Sequence, residues 1–355
     1  MVMDRRRGPR PRIVVMPHRL SRLLLLALLS IVGTGGTADA ADRYDPRLRF
    51  RTLVTPSFFI HYHQGEETMA RRLAGIAEAV ATEMAPRLGR PNGRVHVILV
   101  DQNDSPNGWA TPFPYNVIEI TAAAPRGGSL IGNTSDWLRL VFVHEYTHIL
   151  HLDRSRGLFG LGRRIFGRHP VAMPNLFTPL WQIEGIATHY ESLDTGEGRV
   201  PASDFRLLLV RAAATDRFAS LDRASHDRID WPSGNTPYLY GAYFHRYLAE
   251  AYGEAALVRL ADATAGRVPY LGSGAFDDVF GKPLGSLWAD FEAHAAARAS
   301  ATESPATRLT AHGFVVSSPV HAPDGRLFYA VSTPHGFPEI RELLPGGASR
   351  QVTTW

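Results

Sequence analysis

The feature that most constrains this chain is a pair of histidines four residues apart in a long apolar segment. His144 and His148 lie in the segment LRLVFVHEYTHIL. On an α-helix, residues i and i+4 lie on one face, so both imidazoles can bind the same metal ion. Glu145 is placed to take a proton from a water on that ion. The pattern predicts a helix with a catalytic zinc site; the alternative is a core helix whose histidines only satisfy hydrogen bonds.

A catalytic zinc ion needs a third protein ligand and an open position. The chain has no cysteine, which excludes thiolate ligands, thiol nucleophiles and disulfide bonds. His151 is two helical turns from His144, about 10 Å along the axis, which is too far for a shared ion. Arg154 stands where the metzincin pattern requires histidine. The better candidate is Glu184, in the segment WQIEGIATHYE.

These residues together resemble the gluzincin zinc metallopeptidases, specifically the aminopeptidase N-like and peptidase MA-like group. That group has HExxH on one helix and W-x-x-E-G-x-A on the next, and this chain has HEYTH followed by WQIEGIA. The resemblance implies a zincin-like α+β fold with one Zn²⁺ per chain, held by His144, His148 and Glu184. It implies Glu145 as general base. It also implies that Glu191 orients a zinc-bound histidine; a solvated surface glutamate is the alternative there.

A tyrosine motif of the same family has a counterpart in the segment PYLYG. The resemblance implies that Tyr238 donates its hydroxyl to the oxyanion of the reaction, with Tyr240 and Tyr243 as competing candidates. The alternative is that these aromatic side chains only pack into the core.

The exopeptidase branch of the family holds the free amine of its substrate with the glutamate of a G-x-M-E-N strand. The corresponding residues here, 107–112, read NGWATP. Residues 107–115 supply no carboxylate, although we expect them to form the strand edge along which substrate lies. Glu119 is too far along, since four residues on a strand span about 13 Å. Glu191 is another carboxylate that could fill this role. The sequence therefore predicts an endopeptidase, or an enzyme indifferent to blocked ends, rather than a dedicated aminopeptidase.

Hydrophobic periodicity predicts an α+β domain in which a small sheet precedes a series of helices. The predicted strands are 58–63, 94–100 and 116–121, and the first helices are 66–88 and 136–153. Thr134 or Ser135 is the expected N-cap of the second helix. Residues 154–174 are predicted to be a loop, which lengthens the interval between His148 and Glu184 to 35 residues. A helix with Pro179 at its first position follows. Residues 201–302 are predicted to be helical, with breaks at 231–237 and 266–274.

The pattern changes to short strands after residue 305. They are predicted at 314–316, 327–331 and 340–344, with turns between them. The stretch SSPVHAPDGRLFYAVS resembles a blade of TolB-like β-propellers. One blade cannot bury its own faces, so we expect this chain to be part of a longer protein that continues as a propeller. A small β-appendage packed on the first domain is the alternative.

The N-terminus has the pattern of an export signal. Seven arginines precede an apolar run at residues 23–32, and Ala38-Asp39-Ala40 forms a small-x-small cleavage site. The run is shorter than a membrane span, which favours cleavage over retention as an anchor and leaves no stable span afterwards. We predict a signal peptide at 1–40, a peptidase domain at 41–304 and a partial propeller blade at 305–355. The predicted location is the bacterial periplasm or the extracellular space.

The charge distribution argues against nucleic acid as a partner. The isoelectric point is near 9.5, but residues 1–40 hold seven of the 38 basic residues and two of the 34 acidic ones. The net charge of residues 41–355 is therefore near −1. This part of the chain lacks the basic excess of nucleic-acid-binding proteins. The predicted function is zinc-dependent hydrolysis of a peptide or protein substrate. The alternative is a non-catalytic, zinc-bearing scaffold or binding protein whose propeller carries the function, although a structural zinc does not need Glu145.

Overall fold

The protein is described from a computed structural model that covers residues 44–125, 131, 134–226, 232–299, 307–312, 315–333 and 335–353. The chain divides into two units, Met1–Leu48 and Arg49–Trp355. In the described part of the first unit, the Leu48 amide donates to the Asp45 carbonyl oxygen. The predicted signal peptide at 1–40 lies outside the described residues. In the part of the chain that is described, no helix is both long and apolar enough to cross a membrane.

The second unit begins with a mixed five-stranded sheet. Its strands are β1 (Arg51–Val54), β2 (Phe58–Tyr62), β3 (Val95–Val100), β4 (Gly108–Thr111) and β5 (Val117–Thr121), in the spatial order β1-β2-β3-β5-β4. The strands β2, β3 and β5 are parallel, and the edge strands β1 and β4 pair antiparallel to their neighbours. The sequence pattern predicts β2, β3 and β5 but misses β1, because its RTLV segment is mostly exposed and does not alternate.

One face of this sheet packs against two helices, α1 (Glu67–Leu88) and α2 (Trp137–Leu152). Ile60, Val97 and Ile118 occupy paired positions on that face and are fully buried. The predicted limits of both helices hold within one residue. The predicted N-cap of α2 is wrong, however, because the Asp136 side chain accepts the hydrogen bond from the Arg139 amide. This arrangement confirms the predicted α+β class, with α2 lying under the edge strand β4.

Helices continue to residue 299. They are α3 (Gly157–Phe166), α4 (Leu180–Thr195), α5 (Ser203–Ala214), α6 (Leu221–Ala224), α7 (Thr236–Tyr252), α8 (Glu254–Thr264), α9 (Gly274–Phe280) and α10 (Leu284–Ala299), with 3₁₀ turns at Pro170–Ala172, Pro174–Phe177 and Ser233–Asn235. A second core around Trp181, Phe244 and Trp288 joins α4, α7 and α10. The break predicted at 266–274 is present. Pro179 is the N-cap of α4 rather than its first helical residue.

The prediction of a loop at 154–174 is wrong for residues Gly157–Phe166, which form the helix α3. Its glycines favour a loop, but Leu158, Leu161 and Ile165 recur at the i, i+3 and i+7 spacing of a helix face. That face is exposed to solvent, so the helix does not add to the core.

The C-terminal part is an antiparallel sheet of four strands in sequential order. They are β6 (Val315–His321), β7 (Leu327–Ser332), β8 (Glu339–Leu343) and β9 (Ser349–Gln351). The first three correspond to predicted strands, whereas β9 is short and polar and gives no hydrophobic signal. Membership of a propeller, and the domain boundaries at 40/41 and 304/305, stay predictions.

Candidate metal centre

The candidate site lies where α2 packs on α4. Nε2 of His144 lies 3.2 Å from Nε2 of His148. Oε2 of Glu184, from α4, lies 3.4 Å from the first of these nitrogens and 3.3 Å from the second. The three atoms thus form a nearly equilateral triangle, the one group of potential metal ligands found among the described residues.

The dimensions of the triangle fit a tetrahedral zinc ion. Bonds of about 2.0–2.1 Å at tetrahedral angles place ligand atoms about 3.3 Å apart. Oε2 of Glu184 is buried and accepts no hydrogen bond from any residue that the structure describes. A buried carboxylate oxygen without donors is costly unless a cation faces it. Both observations favour a metal ion bound by these three side chains.

Glu145 lies against the edge strand β4. It is 4% exposed, and its Oε2 has no hydrogen-bond partner in the described ranges. A Cβ atom on Gly108 would lie 2.6 Å from Oε1 of Glu145, so glycine at this position of β4 leaves room for the carboxylate. Burial raises the pKa of Glu145 above its ordinary value. A carboxylate with a raised pKa is better matched to proton transfer near neutral pH.

The second ring nitrogen of His144 is held by Glu191 on α4. Oε2 of Glu191 lies 2.8 Å from Nδ1 of His144 and accepts a hydrogen bond of 2.6 Å from Nη1 of Arg199. Glu191 is fully buried, which excludes the alternative of a solvated surface residue. Burial alone would raise the pKa of Glu191, but Arg199 and His144 more than offset this effect, so its pKa is lowered. The ionised carboxylate accepts from Nδ1–H and leaves Nε2 free for a metal.

The loop after α4 is shaped around the Glu191 carboxylate. Gly198 has φ +82°, and a Cβ atom there would lie 2.3 Å from Oε1 of Glu191. The backbone amide of Arg199 donates to the same oxygen at 3.3 Å. Neither Gly198 nor Arg199 is predicted as a site residue from the sequence. The G-E-G-R run that follows α4 signals a tight turn, but only the fold shows what the turn encloses.

Among the three candidate tyrosines, Tyr238 on α7 is the one at the site. Its ring lies 6.2 Å from the ring of His144, and the guanidinium carbon of Arg199 lies 4.8 Å from its centroid. The hydroxyl of Tyr238 is protonated at neutral pH because the ordinary pKa of tyrosine is about 10, and burial and, next, the Glu184 charge raise that pKa further. It is therefore available as a hydrogen-bond donor beside the ligand triangle.

The other two tyrosines point elsewhere. The Tyr240 hydroxyl accepts from the Ala219 amide at 3.1 Å, and the Tyr243 hydroxyl donates to the Val200 carbonyl oxygen at 2.9 Å. Both rings belong to the second core.

His151 and Glu119 stay outside the ligand triangle. His151 is buried, and neither of its ring nitrogens has a hydrogen-bond partner in the described part of the chain. Burial lowers the pKa of His151 well below its ordinary value, so it is neutral.

Glu119 is not kept away by distance along the strand, as predicted, because β4 and β5 form a hairpin in which Trp109 and Glu119 are direct partners. Gly108 faces α2, so Trp109 and its partner Glu119 lie on the opposite face of the sheet. The face of the sheet, and not the distance along the chain, keeps Glu119 away from Glu145.

No protein-family model matches the chain. A protein of Treponema pallidum (strain Nichols), described as uncharacterized, is 29% identical over 243 residues, and the alignment covers 67% of this chain and 21% of that protein. The chain thus spans about a fifth of the length of this relative. An M1 zinc metallopeptidase of Deinococcus radiodurans has a TM-score of 0.36 and 14% identity over 70% of this chain and 52% of its own. A mutant bound to a Tyr-Ser-Ala substrate gives a TM-score of 0.36 and 15% identity.

Proposed function

We propose that this chain is a zinc-dependent metallopeptidase that hydrolyses peptide bonds. The observation that carries the proposal is the triangle formed by His144, His148 and Glu184 beside the buried carboxylate of Glu145. Three protein ligands and one open position are typical of catalytic zinc, whereas structural zinc has four protein ligands. When bound, a zinc ion supplies Lewis acidity, which lowers the pKa of water and polarises a peptide carbonyl.

The surrounding residues have distinct roles in this proposal. Glu145 takes the proton of the attacking water and passes it to the leaving amine. Tyr238 donates a hydrogen bond to the oxygen on which negative charge develops. Glu191 holds His144 in the tautomer whose Nε2 is available to a metal.

The substrate class in this proposal is a peptide or protein. The strand β4 is an edge of the sheet and touches Glu145 at Gly108, and an edge strand can pair with an extended peptide. The segment NGWATP carries no carboxylate to hold a free α-amine, which supports an endopeptidase. Export and a C-terminal propeller remain predictions from the sequence.

The test compares the wild-type protein with Glu145→Gln and with the exposed control Glu83→Gln. We expect close to one zinc per chain in all three by elemental analysis. Hydrolysis of a quenched protein substrate should fall by about 10²–10⁴-fold in Glu145→Gln alone. A zinc-loaded wild-type protein that cleaves nothing would support the non-catalytic scaffold. Unchanged hydrolysis in Glu145→Gln would remove this glutamate from the mechanism.

A further inference from the structure

Helix α3 exposes its apolar face to solvent. Leu158 is 83% exposed, Ile165 64% and Phe166 82%, and no residue of the helix is buried. Leu161, between them, is 53% exposed and lies on the same face. Single exposed apolar side chains are common, but a whole helix face of them marks an interaction surface.

The helix has little to stabilise it in water. A helix of ten residues is marginal without an apolar face that packs against something. Gly160 and Gly162 lie in its interior, where glycine is the least favourable residue after proline. A partner that covers the apolar face would supply the missing stabilisation.

The segment around α3 is basic. Residues 154–180 contain five arginines and no aspartate or glutamate. Two carboxylates from outside the segment offset part of this charge, since Asp153 pairs with Arg163 and Arg168, and Asp262 pairs with Arg154 and Arg156. Three positive charges remain in excess. Arg164 is exposed and pairs with no carboxylate in the described residues.

We propose that α3 binds the surface of an anionic lipid bilayer. Interfacial helices lie in the membrane plane, with apolar side chains in the hydrocarbon boundary and arginines among the headgroups. A bilayer that contains anionic lipid offers both an apolar layer and negative charge. The combination of an exposed apolar face with unbalanced arginines is the charge complementarity that favours this partner.

The loop that follows α8 also exposes apolar side chains. Tyr270 is 79% exposed and Leu271 64%, and the Tyr270 ring contacts that of Phe177 at 5.2 Å. The Arg156 amide, just before α3, donates to the Ala265 carbonyl oxygen at the start of this loop. This hydrogen bond ties the loop to the start of α3, and its exposed apolar side chains are further candidates for contact with a bilayer.

The segment is tied to the candidate metal centre. Arg163 and Arg168 bind Asp153 at the end of α2, and Arg168 also donates to the Pro112 carbonyl oxygen just after β4. Binding through α3 would therefore orient α2 and β4 relative to the bilayer. The proposal does not depend on peptidase activity.

The test uses the absence of cysteine from the chain. Leu161→Cys places a thiol for an NBD fluorophore on α3, and Leu207→Cys places one on α5, where Leu207 is 48% exposed, as a matched control. The 355-residue chain is mixed with vesicles of phosphatidylcholine alone, or with vesicles that also contain phosphatidylglycerol. We expect a blue shift and quenching by acyl-brominated lipids at position 161 with the anionic vesicles, and neither at 207. A site-specific signal separates α3 from any membrane binding by residues 1–43.

Two further substitutions, made in the Leu161→Cys variant, test whether the apolar face of α3 and the positive charge of Arg164 contribute to membrane binding. Ile165→Ser should weaken partition into anionic vesicles by roughly tenfold, because an apolar side chain no longer leaves water. Arg164→Glu should weaken it several-fold at low salt and much less at high salt. Circular dichroism and the thermal midpoint check that both variants fold.

Three results would overturn the proposal. They are the absence of any spectral change at position 161, an equal change at 161 and 207, and a partition unaffected by both Ile165→Ser and Arg164→Glu. Self-association without lipid that Ile165→Ser abolishes, with no vesicle binding, would assign the face to a second copy of the chain.

Discussion

Gly185 and Gly241 hold α4 and α7 in direct backbone contact. A Cβ atom added to Gly241 would lie 2.7 Å from the Cα of Gly185 and 2.0 Å from the carbonyl oxygen of Trp181. Glu184 directly precedes the first glycine, and Tyr238 lies one helical turn before the second. The crossing therefore places a candidate metal ligand and a candidate oxyanion donor beside the histidines of α2. This is the physical reason for glycine in both the WQIEG and the YLYG segments.

Gly241→Ala should lower the free energy of unfolding by about 2–3 kcal/mol, because the added methyl group forces the two helices apart. Gly75→Ala in α1 is the matched control, since no atom lies within 4 Å of the added Cβ. It should raise the free energy of unfolding by about 0.5–1 kcal/mol, because alanine is a better helix former. Urea denaturation of the metal-free proteins measures both. Equal effects at the two positions would contradict the close crossing.

Glu191→Gln should weaken zinc binding by about 10–100-fold, because an amide holds the His144 ring less strongly than a carboxylate does. Competition with a chromogenic chelator measures the affinity without relying on activity. Glu250→Gln, at an exposed ion pair on α7, is the control and should bind zinc like the wild type. If Glu191→Gln kept full zinc affinity, the hydrogen bond to Nδ1 of His144 would have no part in metal binding.

Tyr238→Phe should lower kcat by roughly 10²-fold and leave zinc content unchanged, which is the scale of losing one oxyanion donor. Tyr240→Phe and Tyr243→Phe are matched controls, since their hydroxyls bond to backbone atoms of the second core. They should affect stability more than turnover. A large loss of kcat in Tyr240→Phe with none in Tyr238→Phe would move the role to the other tyrosine.

An N-acetylated peptide and its free-amine twin should be cleaved at similar rates. A free α-amine has a pKa of about 8 and needs a carboxylate near the metal to be held. The strand β4 offers none, and Glu119 lies on the far face of the sheet. Mass spectrometry of the products identifies the cleaved bonds. Release of single N-terminal residues, abolished by acetylation, would instead establish an aminopeptidase.

Acid should destabilise the protein through His245 on α7. Its Nδ1 donates to the Gly241 carbonyl oxygen, its Nε2 has no described partner, and His189 and Glu254 lie nearby. Burial lowers the pKa of His245 from its ordinary value of 6.5 to about 4. Because the pKa of His245 is lower in the folded protein, the unfolded chain binds the proton at a higher pH than the folded chain does. The contribution of neutral His245 to the free energy of unfolding is therefore fully present above pH 6.5 and is lost as the pH falls towards 4.

The loss attributable to His245 between about pH 7.5 and about pH 5 should be about 2 kcal/mol. His245→Asn keeps a donor near the Gly241 carbonyl but cannot titrate, so this part of the pH dependence should disappear. Urea denaturation of both metal-free proteins at the two pH values gives the difference. Identical pH dependence in the two proteins would show that His245 does not titrate in this range.

Some elements and residues gave a conflicting local signal or none. The helix α3 combines a helical apolar spacing with loop-forming glycines, and its side chains gain no burial, so periodicity and composition point in opposite directions. The strand β1 is mostly exposed and gives no alternation. Arg199 cannot be distinguished from any surface arginine, because its contact with Glu191 depends on the turn at Gly198.

The sequence by itself determined what a single helix or strand can express. The spacing of His144, Glu145 and His148 places them on one helix, and alternation or helical periodicity marks the buried strands and the long helices. Only the tertiary structure decided which distant groups meet. Glu184 reaches the histidines because α4 packs on α2. Glu119 faces away from Glu145 because the register of β4 and β5 pairs it with Trp109 and not with Gly108. Local patterns record the period of one element, whereas a site depends on how elements pack, which is set by side chains far apart in the chain.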